Sequence, residues 1–588
     1  MNRSPFTLVA LGGTLVGLAA ATAWALTVGT PILLHGETSQ GRAGYAVTVA
    51  DLDADGFDDL LVGAPAFEAG DATGTNTDSV GPSGLTGEVL IYRGSATGVV
   101  DPPFVVLHGE NPNDRFGAAI KVGDVVNGDG VKDVVVSALL ASGHDAPRTG
   151  CVYVFDGQDV NNPPITPMPG HAPEIGAHDA VAEVCGEQYR ELFGRAIELG
   201  EFDDVAGLDI AVGAPWYSSA HSHAAAGHPY EVYLAGAVYL ISGTEIAAAK
   251  DAKMSNVPYE IHAERTPGNG WTAAYGENLL AMGDRNYDPA VPTDTREELL
   301  IFAPGAENHG HSGKGRAYLA TWDPMAHAPE TTPAGFEEPL VVIQGTGSLG
   351  MGKPAFVGDL NDDGISDIGM ASNTGSGTPA GVDTNSAGGL YIVSGQLMDE
   401  SVYKRYSKTV DPVTGETVTE VVNSLMTIPT EAFSLAAITG ENAQDKFGTS
   451  IVGLGDRDED LVDDFAIGAP WADTPATPTT TNTISGAVYI VSGNSVKNTI
   501  DTPDAFKFKI GSTQPALTVA TIPAASNDRQ GEVLAAGPLL PSATTAMATG
   551  LVVGSPDREI LTVNTANDRP GVGSNDNRGG VSIYAVNP

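Results

Sequence analysis

Cysteine is nearly absent: two residues in a chain of 588 cannot frame a disulfide scaffold, and no Cys-x-x-Cys spacing offers structural zinc or thioredoxin-like chemistry. Basic side chains are scarce, 29 against 73 acids, which leaves a net charge of -44. A chain so short of cations has no ready grip on phosphate backbones or anionic lipid, so a nucleic-acid partner is excluded. Long apolar runs are missing beyond the first 25 residues. What the chain does have is 42% hydrophobic residues, enough for a substantial core, together with 73 glycines and 39 prolines. Low complexity is confined to short stretches, so global disorder is excluded as well.

Residues 1–25 carry Arg3, an apolar run from Phe6 to Ala21, and Ala23-Trp24-Ala25, the small-x-small form of a signal-peptidase site. They read as a cleaved secretory signal, the alternative being a retained anchor helix; the run is shorter than the ~20 residues a span needs. The mature chain is expected to be soluble, secreted or periplasmic, with no membrane span.

Three short patterns then recur in fixed order, seven times each. The first is an aromatic-Gly pair: Phe116-Gly117, Phe193-Gly194, Tyr275-Gly276 and Phe447-Gly448, with weaker forms at Gly44, Gly352 and Gly531. The second is an apolar run closing in small residues, as in Leu60-Leu61-Val62-Gly63-Ala64-Pro65 and Ile210-Ala211-Val212-Gly213-Ala214-Pro215. The third is Gly-x-Val-Tyr-like, as in Gly150-Cys151-Val152-Tyr153 and Gly236-Ala237-Val238-Tyr239. Short runs rich in Val, Ile and Tyr, bounded by Gly, Pro and Asp, are strands. A fourth apolar piece follows, such as Val105-Val106-Leu107-His108. Four strands in each of seven units predict an all-β, seven-bladed β-propeller occupying residues 31–588 as one domain. Pro31-Ile32-Leu33-Leu34-His35-Gly36-Glu37 resembles a fourth strand and is expected to complete the last blade, closing the ring.

Seven or eight residues after each signature glycine lies an acidic loop or its remnant. In unit one, Asp51, Asp53, Asp55 and Asp59 alternate on a turn bent at Gly56, with the Phe57 carbonyl completing an oxygen cage. Ca2+ takes six to eight hard oxygens, which such a loop converges on one point. An EF-hand is excluded because its twelfth position, which should be Glu, is Val62 inside a strand. Unit five repeats the pattern as Asp359, Asn361, Asp363, Ile365 through its carbonyl, and Asp367. Unit six has Asp456, Asp458, Asp460, Val462 through its carbonyl, and Asp464, with Leu461 in the glycine's place. Unit two is one residue longer: Asp124, Asn127, Asp129, Val131 and Asp133. Unit four offers Asp284, Asn286 and Asp288, then an insertion before Glu298. Unit three keeps Glu201, Asp203 and Asp209 but has Val205 between them, and unit seven has lost its acids; both are expected to be metal-free. Three to five Ca2+ sites follow, the competing reading of any single loop being an ordinary Asx-rich turn.

Aromatic-Gly, a D-x-D-x-D-G-x-x-D loop and Gly-Ala-Pro, in that order, resemble the FG-GAP repeats of the integrin alpha-subunit N-terminal propeller. The resemblance spans nearly all of residues 31–588. It implies calcium in the loops joining strands one and two of a blade, and a role in adhesion or ligand recognition. The legs and membrane span of an integrin are missing, so pairing with an integrin beta subunit does not carry over, and a monomer is expected.

In an up-and-down blade the 1-2 and 3-4 loops share one face, and the 2-3 and 4-1 loops share the other. Long 2-3 loops make the second face the candidate rim for a protein or glycan ligand. The same loops hold His144, His221, His223, His228, His309 and His311, a set that suits Zn2+ if the imidazoles converge and is otherwise solvated. Cys151 and Cys185 fall on adjacent strands of unit two and are expected to form a disulfide after export, two buried thiols being the alternative. No G-x-S-x-G, H-E-x-x-H or P-loop motif occurs, and Gly345 to Gly350 fits G-x-G-x-x-G without a following helix. The chain is therefore expected to be a binder rather than an enzyme. A hydrolase or lyase of extracellular polymers using rim acids or histidines is the runner-up. Solubility in a saline habitat would account for the acidity alone.

Overall fold

The computed structural model describes residues 27–28, 32–35, 41–65, 86–126, 128–143, 146–163, 172–203, 207–217, 236–248, 259–262, 274–284, 296–305, 315–320, 341–344, 352–372, 388–398, 405–410, 417–422, 424–427, 434–442, 444–474, 483–484, 486–500, 507–509, 519–523, 529–540, 548–556 and 580–587. Seven of the nine sheets these residues form are arranged as the blades of a β-propeller, the architecture read from the repeats; the other two are two-stranded, Arg405–Val410 with Thr417–Val422 and Asp473–Thr474 with Thr483–Ile484. Blade one runs outward from the axis as Ala46–Ala50, Asp59–Ala64, Glu88–Tyr92 and Val105–His108, every pair antiparallel. In blade seven, Val533–Leu540, Ala548–Ser555 and Gly580–Asn587 supply three strands, and Ile32–His35 pairs with the last of them. The pairing reaches further upstream than expected: Thr27 and Val28 also face Asn587 and Val586.

The second strand of each blade is apolar throughout because both of its faces are covered. In blade two, Val134 and Val136 enter the apolar cluster shared with blade one, while Val135 between them enters the cluster shared with blade three. Seven such clusters are found among the described residues, one at every junction between neighbouring blades. The junction of blades seven and one, with Leu34, Leu60, Val62, Val552 and Ile583, is one of them, so the ring closes through a core as well as through β-pairing.

The signature motifs lie on the seams between blades. Each aromatic packs inside its own blade against the tyrosine of Gly-x-Val-Tyr: Phe116 on Tyr153, Phe193 on Tyr239 and Phe447 on Tyr489, with centroids 5.7, 5.2 and 5.7 Å apart. The glycines face the neighbour. A Cβ on Gly63 would stand 2.1 Å from the Gly117 carbonyl of the next blade, and one on Gly213 would stand 2.0 Å from that of Gly276. Gly468 meets Gly531 and Gly554 meets Gly44 in the same way, the latter across the ring closure. Gly87, Gly236, Gly388 and Gly486 form parallel bridges to Phe116, Tyr275, Phe447 and Gln530 of the following blade. Blades two, four and five differ, with Ser137, Phe302 and Ala371 in the glycine's place. In blade two the inner strand is bulged between Phe116 and Ile120, and the Ala119 N–H donates to Ser137 Oγ at 2.9 Å.

Four strands per blade is not the whole inventory. Glu174–Gly176, Ser424–Thr427 and Lys507–Lys509 each add a parallel fifth strand outside blades one, four and five. They come from long connections whose sequence carries no period. Covering an outer edge in this way removes a row of open backbone donors and acceptors.

Because the Gly213 contact is with rigid backbone, Gly213→Ala must part blades three and four. A loss of about 2–4 kcal/mol is expected, read as a lower urea midpoint.

Candidate metal centres and the opposite rim

The acidic loops adopt one backbone form in blades one, five and six. In blade one the Asp55 N–H donates to Asp51 Oδ1 (3.2 Å) and Asp53 Oδ1 (3.3 Å), Gly56 N–H to Asp51 Oδ2 (3.0 Å), and Phe57 N–H to Asp55 Oδ1 (2.8 Å). Blade five reproduces the set with Asp359, Asn361, Asp363, Gly364 and Ile365. In blade six Asp456 accepts from Asp460 and Leu461, and Asp460 from Val462. The longer blade-two loop keeps the two outer bonds, Gly130 to Asp124 and Val131 to Asp129. Leu461 takes the turn's left-handed conformation, φ 74°, where Gly56 and Gly364 have 89° and 86°. The loop is thus not reshaped; the leucine carries the strain, with its side chain 90% exposed.

This turn gathers carboxylates. Asp51, Asp53 and Asp55 present oxygens within 4.8 Å of one another, and so do Asp456, Asp458 and Asp464. Asp124 Oδ1 and Asp458 Oδ1 are buried without a hydrogen-bond partner among the described residues. A buried carboxylate oxygen with nothing to accept from is costly, and a hard cation in the loop would satisfy it. The donor set therefore fits Ca2+ in oxygen type and convergence. In blade four Asp284 and Glu298 are placed, whereas Asn286 and Asp288, like Asn127 of blade two, lie outside the described residues.

The ninth-position aspartate has a second task that its spacing alone did not reveal. Asp59 is buried, accepting from Leu52 N–H (3.1 Å), from Gly94 N–H (2.8 Å) at the start of the 3-4 connection, and from Arg93 Nη1 (2.9 Å). Asp133 accepts from Val125, Val126 and Gly157, Asp367 from Leu360 and Gly395, and Asp464 from Arg457 and Gly493. Asp209 does the same with Phe202, Asp203 and Gly243, although its loop has lost the rest of the pattern. This carboxylate ties the 1-2 loop to the 3-4 connection whether or not the loop suits a metal, and it puts both connections on one face. Burial pushes these acids up, Asp133 and Asp209 to about 6, Asp367 and Asp464 to about 7.

On the other face a related device holds the 4-1 turns. Asp114, Glu191 and Asp445, each two residues before its aromatic, are buried and accept from the N–H of Asn111, Gln188 and Asn442. Their own carbonyls accept from Leu140, Trp216 and Trp471, where the 2-3 connection begins. His144, His221, His223, His228, His309 and His311, the histidines of the 2-3 loops, lie outside the described residues. Cys151 and Cys185 are cross-strand neighbours in blade two and are joined as a disulfide. They meet Glu183 in a cluster of metal-ligand types, but with both sulfurs bonded to each other it is not a metal site.

A seven-bladed propeller with acidic hairpins on one face defines the structural class. Within it, the FG-GAP repeat family matches residues 43–76. The chain is 31% identical over 214 residues to integrin alpha-PS2 of Drosophila melanogaster, covering 35% of this chain and 14% of that protein. It is 32% identical over 186 residues to integrin alpha pat-2 of Caenorhabditis briggsae, covering 31% and 14%. A longer match, 24% identical over 479 residues, is to phosphatidylinositol-glycan-specific phospholipase D of Rattus norvegicus, covering 79% of this chain and 48% of that protein. The chain thus carries an FG-GAP repeat and is similar to integrin alpha subunits over about a third of its length. It spans less than half the length of each of these relatives.

Two outcomes follow from this geometry. Leu461→Gly relieves the left-handed leucine and should raise calcium-free stability by about 1 kcal/mol, while Gly364→Leu should lower it by a similar amount; paired urea melts read both. Burial raises Asp114 to about 6 and Glu191 to about 7, from 3.8 and 4.5. The folded state then holds protons that the unfolded chain releases, so this stability is complete below about pH 4 and is lost as pH climbs through 6 to 7. Asp114→Asn and Glu191→Gln should each flatten the fall by up to about 1.4 kcal/mol per pH unit, measured with calcium saturating.

Proposed function

We propose that the chain is an exported, calcium-stabilised propeller that binds a protein or glycan ligand through the 2-3/4-1 face, in adhesion or surface recognition. The observation that carries the calcium part is the recurrence of one acidic turn in several blades, with Asp124 Oδ1 and Asp458 Oδ1 buried and unpartnered among the described residues. Asp51, Asp53, Asp55 and the Phe57 carbonyl would hold one ion, with equivalents in blades two, five and six. A bound ion would neutralise carboxylates that otherwise repel, stiffening the turn. With one face occupied by these loops and by the short helices Gly157–Asn161, Gly243–Ala248 and Gly493–Ile500 that follow the third strands of blades two, three and six, the opposite face is left for recognition. The integrin alpha matches support a ligand-binding role, and the pattern of residues 1–25 supports export. No helix among the described residues is long and apolar enough to cross a membrane.

The match to phosphatidylinositol-glycan-specific phospholipase D favours a second reading, hydrolysis of an extracellular substrate. A phosphodiester, ester and polysaccharide panel against wild type and rim His-to-Ala variants separates the two: turnover lost in a variant makes the chain an enzyme.

Calcium should raise the Tm and chelation should lower it. By calorimetric titration, Asp53→Ala and Asp458→Ala should each remove about one ion from the stoichiometry. Asp209→Ala should lower calcium-free stability and leave the ion count unchanged. A melt and an ion count both indifferent to exhaustive chelation would rule the sites out, and ligand capture that survives chelation and truncation of the 2-3 loops would rule out the rim.

A further inference from the structure

The acidic turn of blade one holds a cation of its own. In blades one, two, three, five and six a glycine opens the 3-4 connection and donates its N–H to the ninth-position aspartate, as Gly94, Gly157, Gly243, Gly395 and Gly493. The residue before that glycine therefore keeps one register from blade to blade. It is Asp156 in blade two, Ser242 in blade three, Ser394 in blade five and Ser492 in blade six. In blade one it is Arg93.

A hydroxyl and a guanidinium act on the turn differently. Ser394 Oγ donates to Asp363 Oδ2 at 3.1 Å, and Ser492 hydrogen-bonds Asp458; neither adds charge. Cations close to those two turns engage other groups: Lys497 pairs with Asp362, at a position that is not a ligand, and Arg457 Nη1 donates to Thr549 Oγ1 at 2.8 Å. Arg93 Nη1, in contrast, stands 2.9 Å from Asp59 Oδ2 and 3.2 Å from Asp53 Oδ2, bridging the ninth and third positions of its turn. The head group is held from its other sides as well. Its Nη2 donates to Asn161 Oδ1 at 2.7 Å, and its Cζ lies 4.1 Å from the centroid of the Phe104 ring. Asn161, on the helix Gly157–Asn161 of blade two, in turn donates from Nδ2 to the Leu52 carbonyl inside the acidic turn at 2.7 Å. A guanidinium stays charged throughout the pH range of a folded protein, and this one cannot swing away without breaking these bonds.

We propose that Arg93 is a built-in counter-ion of the blade-one turn, holding it folded without metal and making its Ca2+ weaker than those of blades five and six, so that it is released before them as calcium falls. The inference rests on the reading of the acidic turns as calcium sites. In blades two and six Asp124 Oδ1 and Asp458 Oδ1 are buried with no hydrogen-bond partner among the described residues, a cost that an entering ion relieves. In blade one Arg93 already neutralises part of the turn, and a divalent ion must enter beside its fixed positive charge. An ion bound by Asp53 shares that carboxylate with Arg93, which puts the two charges no more than roughly 8 Å apart. Repulsion over such a distance, with water at hand, weakens the ion about tenfold.

The test titrates calcium-stripped full chain with CaCl2 by calorimetry and runs urea melts without calcium. In the wild type the ion removed by Asp53→Ala should belong to a class bound about tenfold more weakly than the ion removed by Asp458→Ala. Arg93→Gln keeps a donor for Asn161 and loses the charge; it should move the blade-one ion into the tight class and lower the calcium-free urea midpoint. Arg93→Lys keeps the charge and should leave that ion weak. Assigning the ions by Asp53→Ala and Asp458→Ala needs no Arg93 variant to fold. Asp53→Ala removing a tightly bound ion, or Arg93→Gln leaving the blade-one ion as weak as before or weaker, overturns the counter-ion and leaves the calcium sites standing. No calcium uptake at any turn overturns both.

Discussion

Neighbouring blades touch backbone to backbone, and that contact sets the terms for the rest of the molecule. Where Gly63, Gly213, Gly468 and Gly554 back onto the next blade's signature glycine, the separation leaves no room for a side chain. The aromatic before that glycine is then held within its own blade by a tyrosine, and the apolar faces on either side meet in a shared cluster. The repeat motifs are thus not ligand sites; they are what radial packing requires of a chain. Blades two, four and five depart from the rule, with Ser137, Phe302 and Ala371 at that position, and in blade two the inner strand is bulged beside Ser137.

With the seams fixed, each face has its own way of tying loops together. On one, a buried carboxylate at the end of the acidic turn accepts from two connections of the same blade. On the other, Asp114, Glu191 and Asp445 join a 4-1 turn to the beginning of a 2-3 connection. Both devices bury an acid to replace missing backbone partners. Further carboxylates stand near both, Glu110 and Glu183 by Asp114 and Glu187 by Glu191 on the second face, but among the described residues only the acidic turns of the first bring three aspartates to within 4.8 Å of one another.

Strand count, blade number and ring closure were legible in the sequence because glycine, aromatic and small residues are demanded by backbone geometry at fixed spacing. The acidic turns were legible for the same reason. The parallel fifth strands were not, since Glu174–Gly176 and its counterparts pair through backbone alone and ask nothing periodic of their side chains. The double duty of Asp209 was hidden too: its spacing matches a metal ligand, while its actual partners are N–H groups that any sequence supplies.

Because every apolar cluster is shared by two blades, including the one joining blade seven to blade one, no blade owns a core and none is structurally first. The strand Ile32–His35 makes the seventh sheet whole from the far end of the polypeptide, so the place where the backbone is interrupted is a matter of genetics rather than of packing. A circularly permuted gene opened in another outer connection would encode the same set of seams. Loss or duplication of one repeat, in contrast, would change the angle at all of them together.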